Sequence, residues 1–247
     1  MRGRWLMGPF GLAICTAACT GATGLDLCGR GNVVDLGRDS CIDMSALSVV
    51  APDQRATIEA EIVRTFDLVN ELMPISAVRI EVIADASRTI PEVGVGGFAS
   101  GASAVQFFVD PTRVDLSDIV RAHLAPQLAH ELHHAKRFGT VGYGSTLVEA
   151  VVSEGLADHF SLELAGGAPP PWSSALQPEE LADWTDTALA ESSTAYDHSR
   201  WFFGTGSIPR WAGYSIGFAL VSDFLDANPD RRPSELVTEP ASLFLPD

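Results

Sequence analysis

The chain has few basic residues, few cysteines and no long hydrophobic run. Its 247 residues include 16 Lys and Arg against 32 Asp and Glu, for a formal net charge of -16. A field of this sign repels nucleic acid and anionic lipid surfaces, and no basic cluster offsets it. We therefore expect no nucleic-acid partner. An apolar fraction of 46% with 19% charged residues argues against disorder and predicts a domain with its own core.

The N-terminus carries an apolar run that is too short to span a bilayer. It extends from Leu6 to Ala18, follows two arginines and gives way to small residues, which predicts an export signal over 1–19. Cys19 follows two alanines and is a better candidate for lipidation and membrane attachment than Cys15, which follows a bulky isoleucine. Ordinary cleavage and a soluble secreted product is the alternative. Both alternatives place the mature domain outside the cytoplasm, as a periplasmic, membrane-anchored or secreted protein.

Two cysteines, Cys28 and Cys41, remain after the export signal. An oxidising compartment permits a disulfide, and no nearby histidine or further cysteine suggests a metal site. We expect the two to pair within a linker over 20–50, where the closed loop would contribute on the order of 3 kcal/mol to the free energy of unfolding. No internal repeat or second boundary is found, so a single domain is expected over 51–247.

Hydrophobic spacing predicts an α+β domain. Apolar residues recur at steps of three and four from Ile58 to Met73, which predicts a helix with Asp53 as its cap and Pro74 as its stop. "AVRIEVIAD" predicts a strand, and Ala104–Val109, after a glycine-rich run, predicts a second strand at a sheet edge. From Leu116 onward helices dominate. The expected fold is a small N-terminal sheet lobe followed by a mainly helical C-terminal lobe.

The helical half carries local start and stop signals. Pro126 either kinks the first helix or marks its true beginning. Gly139 is placed to end this helix in the left-handed conformation. Thr146 and Glu149 have the spacing of a capping box for the next helix. After "AGGAPPP" ends that helix, an apolar helix is predicted from about Trp211.

The stretch "QLAHELHHAKRFG" places His130, Glu131 and His134 on the first of these helices, in an HExxH arrangement. Histidines at i and i+4 project from one side of a helix, which suits two adjacent corners of a tetrahedral zinc site. Glu131 falls near the open coordination position, where it can take a proton from water. The combination is typical of zinc hydrolases, because zinc lowers the pKa of its water toward ~7 and the carboxylate shuttles the proton.

A catalytic zinc ion takes three protein ligands, and Glu154 on the next helix is the candidate for the third. Asp158, one turn further on the same face, is placed to accept the free ring N–H of a ligating histidine. Gly155 leaves room for a close helix approach. His133 diverges from the ligand pair and is expected to be a neighbour. Two other histidines are expected in structural or outer positions: His123 and His159.

Three stretches, "HELHH", "TLVEAVVSEGLADHF" and "WFFGTGSIPRWAGYSIGFALV", resemble a bacterial family of predicted zinc-dependent proteases, catalogued as a domain of unknown function, within the gluzincin group of metallopeptidases. The likeness runs from about Gly96 to Leu225. It implies a zincin-like fold, a Zn²⁺ cofactor and a peptide or protein substrate. It also implies the following roles: His130, His134 and Glu154 as zinc ligands, Glu131 as general base, and Asp158 as the acid of the Glu-x-x-x-Asp pattern.

In metallopeptidases of this group the substrate generally lies extended along an edge strand above the active-site helix. We assign this role to "SAVQFFVD", with an ordinary core strand as the alternative. The developing oxyanion also needs a donor, for which the candidates are Tyr214, Arg210 and His198. Tyr214 is preferred from its place in the family-like segment, although helix packing would equally explain it.

The main functional hypothesis is an exported zinc metallopeptidase. The first alternative is a non-catalytic, zinc-containing binding or chaperone-like lipoprotein on the same scaffold. The second is a metal-free helical surface protein with solvent-facing histidines. The second alternative does not explain why five of the six histidines fall between His123 and His159.

Overall fold

The structure, a computed structural model, describes residues 27–28, 33–191 and 195–246. The predicted export signal and Cys19 lie outside these ranges. Within them, no helix has both the length and the apolar character needed to cross a membrane. A mixed sheet is followed by a mainly helical region, which confirms the α+β prediction.

The elements of the described ranges fall into the two expected halves. The N-terminal half contains β1 (Val33–Gly37), β2 (Ser40–Asp43), α1 (Pro52–Leu72), β3 (Arg79–Ala84), β4 (Val95–Gly101) and β5 (Ala104–Val109). The C-terminal half contains α2 (Leu116–Phe138), α3 (Leu147–Ala165), α4 (Pro178–Ala190), α5 (His198–Phe203) and α6 (Ala212–Ala227). Short 3-10 turns are formed by Ser45–Leu47, Ala86–Arg88, Pro233–Glu235 and Ala241–Phe244.

The sheet has the strand order β1-β2-β3-β5-β4, in which β2, β3 and β5 run parallel and the outer strands pair antiparallel. The prediction that Ala104–Val109 lies at a sheet edge is wrong, because β5 pairs with both β3 and β4. The edge is formed by β4, from the glycine-rich run. Glycine has low strand propensity, but β4 pairs with β5 along one of its edges, which satisfies the backbone groups that face β5.

Helix α1 begins one residue before the predicted cap. Pro52 occupies the first helical position, where its missing N–H is not needed. Asp53 therefore lies in the first turn, and the cap position belongs to Ala51, which makes no side-chain capping bond. The predicted apolar face is buried in the core that α1 shares with α2 and the sheet, as the pattern requires: Ile58, Ile62, Phe66, Val69 and Met73.

Helix α2 starts at Leu116 and runs through Pro126, so the proline does not mark its beginning. The predicted left-handed ending at Gly139 is wrong, since this residue has a φ of -75°. Gly142 takes the positive φ instead, at +86°, and its N–H donates to the carbonyl of Arg137 over 2.9 Å. The turn therefore closes three residues later than the sequence predicts.

Helix α3 begins with the predicted capping box. Glu149 N–H donates to Thr146 Oγ1 over 3.3 Å, and Thr146 N–H donates back to the Glu149 carboxylate over 3.0 Å. Gly155 permits the expected close approach, but its partner is α6 rather than α2. A Cβ atom at Gly155 would overlap the carbonyl of Gly217, and one at Gly217 would overlap that of Val151.

A disulfide joins Cys28 to Cys41 in β2, with their Cα atoms 5.9 Å apart. Both β1 and β2 lie inside the segment predicted as a linker over 20–50, and β2 pairs with β3 of the main sheet. The disulfide therefore attaches the chain preceding β1 to the sheet. The boundary between linker and domain stays a prediction.

Candidate active site

Helices α2 and α3 bring three donor side chains to one point: His130, His134 and Glu154. Nε2 of His130 lies 2.9 Å from Nε2 of His134 and 3.0 Å from Oε2 of Glu154. Nε2 of His134 lies 3.3 Å from the same carboxylate oxygen. All three residues are buried. The two histidines thus present the same ring nitrogen to a common carboxylate.

The two Nε2 atoms and Oε2 of Glu154 form a donor triangle, which fits a zinc ion. Zinc bonds to histidine nitrogen and carboxylate oxygen at about 2.0–2.2 Å, so one ion can touch three atoms that are about 3 Å apart. Burial would raise the pKa of Glu154, but the adjacent His134 and His130 hold it well below its usual value, so the carboxylate is anionic. Two imidazoles and one carboxylate are a donor set of catalytic zinc sites.

A second carboxylate sets the orientation of His130. Its Nδ1 lies 2.8 Å from Oδ1 of Asp158. The same oxygen accepts a hydrogen bond from Trp172 Nε1 over 3.1 Å, and Oδ2 accepts one from Ser173 Oγ over 2.6 Å. The Asp158 carboxylate is held from three sides. As an acceptor it would place the His130 proton on Nδ1 and leave Nε2 to bind a metal ion in the triangle. This is the contact predicted for Asp158.

Glu131 lies beside the triangle and does not take part in it. Its carboxylate accepts hydrogen bonds from the N–H of Ala99 in β4 over 2.9 Å and from Gln127 Nε2 over 3.2 Å. Burial raises the pKa of Glu131, although the two histidines of the triangle oppose this effect. A buried carboxylate with a raised pKa is suited to accept a proton and release it again.

The triangle and Glu131 open onto a cleft of about 620 Å³. Strand β4 borders the cleft on the sheet side, and the α5–α6 region borders it on the other. Phe98 of β4 and Phe203 of α5 are 50% and 57% exposed, so apolar surface faces solvent on both sides of the opening. Other aromatic side chains line the interior: Phe138, Tyr143, Trp172, Trp211 and Tyr214.

Comparison with known proteins identifies the family. The family model described as "Predicted Zn-dependent protease (DUF2268)" matches residues 58–246, which is well over half of the chain. The chain belongs to this family. The match extends beyond the stretch from Gly96 to Leu225 that carries the likeness in the sequence, and it includes most of α1 and the C-terminal turns.

A curated relative gives no further functional information. The uncharacterized protein YjaZ of Bacillus subtilis (strain 168) is 28% identical over 137 residues, or 52% of each chain. The present chain thus spans about half the length of the curated relative that it matches. No solved structure matches the chain.

The three candidate oxyanion donors of this family member all line the cleft, but they differ in their partners. Arg210 Nη1 donates to Glu92 Oε1 over 2.8 Å. His198 Nδ1 lies 3.4 Å from the hydroxyl of Tyr196. The hydroxyl of Tyr214 has no hydrogen-bond partner among the described residues, and burial raises its pKa well above the usual value. Tyr214 therefore offers an uncommitted proton to the cleft.

Sequence reasoning missed Tyr143 and Gln127. Tyr143 belongs to the loop between α2 and α3, and its hydroxyl donates to Oε1 of Glu154 over 2.6 Å. One sequence feature could have pointed to it: Tyr143 is the one aromatic residue in "GTVGYGS", the loop between α2 and α3. Gln127 lies one turn before Glu131 on α2, a spacing that brings side chains together but gives no reason to expect a functional contact.

The remaining histidines lie outside the donor triangle. His133 is fully buried with its ring 5.5 Å from that of Phe160, and neither ring nitrogen has a hydrogen-bond partner in the described part of the chain. Nε2 of His159 lies 3.1 Å from the carbonyl oxygen of Phe218 and 3.0 Å from Ser222 Oγ. His123 is half-buried and lines a second, smaller cavity, to which His130 also contributes.

Proposed function

We propose that this protein is an exported zinc metallopeptidase of the gluzincin type, with a zincin-like fold, that hydrolyses bonds in peptide or protein substrates. The observation that carries the proposal is the convergence of His130, His134 and Glu154 at the floor of a cleft, with the Glu131 carboxylate beside them. The alternative of a metal-free surface protein does not explain why two histidines and two carboxylates are buried at one point, because removing ionisable groups from water is costly.

In this proposal, His130, His134 and Glu154 hold the zinc ion and Asp158 orients the first of them. When bound, zinc supplies Lewis-acid chemistry, which activates water and polarises a carbonyl group. Glu131 accepts a proton from the attacking water and donates it to the leaving amine, as its raised pKa favours. The N–H of Ala99 donates a hydrogen bond to the Glu131 carboxylate, which holds this group in place for both proton transfers.

The substrate strand is proposed to lie along β4. The earlier assignment to "SAVQFFVD" cannot stand, because both edges of that strand are occupied within the sheet. β4 borders the cleft from Gly96 to Ser100 and pairs with one neighbour among the described strands. An extended peptide can hydrogen-bond to such an edge independently of its own sequence.

Tyr214 is the proposed donor to the oxyanion that forms on the scissile carbonyl. Its hydroxyl is uncommitted, whereas Arg210 is paired with Glu92 and His198 lies next to Tyr196. A donor that is already fixed toward the cleft stabilises developing charge without reorganisation. Helix packing also contributes to the position of the Tyr214 ring, which contacts Phe202.

The decisive experiment is Glu131→Gln, which keeps the shape of the side chain and removes the base. We expect stoichiometric zinc in the variant, and hydrolysis of an unfolded protein substrate reduced by about 100-fold or more. Unchanged hydrolysis by the variant would refute the assignment of the base. Stoichiometric metal in the wild type with no cleavage across a broad peptide library would instead favour a zinc-containing binding protein.

Export and membrane attachment are part of the proposal and rest on the sequence of the N-terminus. The disulfide between Cys28 and Cys41 supports an oxidising compartment. The mass of the mature protein tests this directly. A lipid-modified N-terminal Cys19 indicates membrane anchoring, cleavage near Ala18 or Ala22 without lipid indicates secretion, and an intact N-terminus in the native host refutes both.

A further inference from the structure

The two oxygens of the Glu154 carboxylate have different partners. Oε2 lies 3.0 Å and 3.3 Å from the ring nitrogens of His130 and His134. Oε1 points away from them and accepts a hydrogen bond of 2.6 Å from the hydroxyl of Tyr143. One oxygen is therefore available to the donor triangle, while the other is engaged by a phenol.

We propose that Tyr143 is a positioning residue that restricts Glu154 to binding the metal through one oxygen. This inference rests on the proposed zinc site. A carboxylate can bind a metal through one oxygen or both, and the second oxygen would occupy space near the position that a catalytic zinc ion keeps open for water or substrate. By engaging Oε1, Tyr143 leaves that position to the cleft.

The placement of Tyr143 does not depend on Glu154 alone. The hydroxyl of Ser153 in α3 donates to the carbonyl of Tyr143, and Arg137 Nε donates to that hydroxyl over 2.9 Å. Arg137 is buried and also donates to two carbonyl groups of the C-terminal segment over 3.0 Å and 2.9 Å. The ring of Phe138 stacks on that of Tyr143, with centroids 6.0 Å apart. These contacts hold the backbone and ring of Tyr143 independently of its hydrogen bond to Glu154.

A direct catalytic role fits Tyr143 less well than a positioning role. The phenol has one proton, and that proton is directed at Glu154 rather than at the open cleft. The hydroxyl of Tyr214, which lines the same cleft, has no partner in the described ranges and is free to meet the substrate. Two tyrosines of one cleft therefore have separable functions, which gives a matched pair of variants.

The test compares Tyr143→Phe with Tyr214→Phe, since each change removes a single hydroxyl and keeps the ring. Zinc affinity is measured by competition with a chromophoric chelator, and the metal geometry by the visible absorption of the cobalt-substituted protein. For Y143F we expect zinc binding weaker by about 10-fold, as for other residues that orient metal ligands, together with a cobalt spectrum shifted toward higher coordination. For Y214F we expect wild-type affinity and the wild-type spectrum.

The outcomes separate this inference from the proposed function. Wild-type zinc binding with an unchanged affinity and cobalt spectrum in Y143F overturns the positioning role and leaves the metallopeptidase proposal intact. A wild-type protein that binds no metal overturns both.

If Y143F does not fold, Ser153→Ala tests the positioning role instead, because it releases the main chain of Tyr143 and keeps the phenol. We expect a smaller loss of zinc affinity in that variant, and wild-type affinity would count against the inference.

Discussion

Gly97 of β4 lies directly against the Glu131 side chain of α2. A Cβ atom built at Gly97 would be 2.7 Å from Oε1 and 2.8 Å from Cδ of Glu131, closer than real Cβ contacts. Because Gly97 has no side chain, the edge strand can approach the side chain of the proposed base this closely. Two residues further along the strand, the N–H of Ala99 fixes the other oxygen of this carboxylate.

Gly97→Ala should misplace the base without removing the metal. We expect hydrolysis to fall by about 10- to 100-fold, since a displacement of about 1 Å in a catalytic group has effects of this size. Zinc content should stay at the wild-type level because no ligand is touched. The matched control is Gly101→Ala in the same strand, where an added Cβ meets nothing within 4 Å. Equal activity of the two variants would show that Gly97 is not needed for the base.

The features that could be predicted from sequence are local ones. The capping box of Thr146 and Glu149 depends on one turn of chain, and the spacing of His130 and His134 depends on helix periodicity alone. The position of Glu154 could be predicted because a helix carrying it follows a short loop. Each of these inferences uses contacts within one element or between two successive ones.

The features that were missed depend on longer-range packing. β4 is rich in glycine and therefore has a weak strand propensity. It forms a strand because it pairs with β5, and a glycine of this strand leaves room for Glu131. Tyr143 lies in a loop whose path is fixed by hydrogen bonds that involve Ser153 and Arg137. Hydrophobic periodicity does not predict such contacts. The closing glycine of α2 was misplaced because three glycines follow within a few residues, and only the tertiary path selects Gly142.

Asp158→Asn should weaken zinc binding through His130. The carboxylate oxygen lies 2.8 Å from His130 Nδ1, and a neutral amide in its place is a weaker acceptor that can also turn its N–H₂ group toward the ring. We expect zinc affinity reduced by about 10- to 100-fold, measured by chelator competition on the purified protein. Wild-type affinity in a folded variant would show that the contact has no effect on the ligand.

The pair of Asp43 and Arg79 should make stability depend on pH. Burial would raise the pKa of Asp43, but hydrogen bonds from Ser45 and the pairing with Arg79 lower it overall. A carboxyl group with a lowered folded-state pKa stabilises the fold above its unfolded pKa of about 3.9 and loses this contribution as pH falls through the folded value.

Asp43→Asn therefore should cost more stability at pH 7 than at pH 3. Chemical denaturation of both proteins at the two pH values measures the difference in the free energy of unfolding. The comparison of variant with wild type cancels the contributions of the other carboxylates, which protonate in both proteins. A cost that is the same at both pH values would mean that Asp43 is not preferentially ionised in the folded state.

His133→Leu should stabilise the protein. The ring is fully buried against Phe160, and neither nitrogen finds a partner among the described residues, so folding removes two polar atoms from water without replacement. Burial accordingly lowers the pKa of His133 well below its usual value, which keeps the ring neutral. Leucine has a similar volume and no polar atom, and we expect a gain of about 1 kcal/mol in the free energy of unfolding. This corresponds to a Tm about 2–4 °C higher in a thermal melt of the apo protein.

The control is His159→Leu, which should lower Tm because the Phe218 carbonyl and the Ser222 hydroxyl lose their contact with the ring. A lower Tm for His133→Leu as well would indicate that the buried ring has a partner, such as an internal water molecule, that compensates its burial.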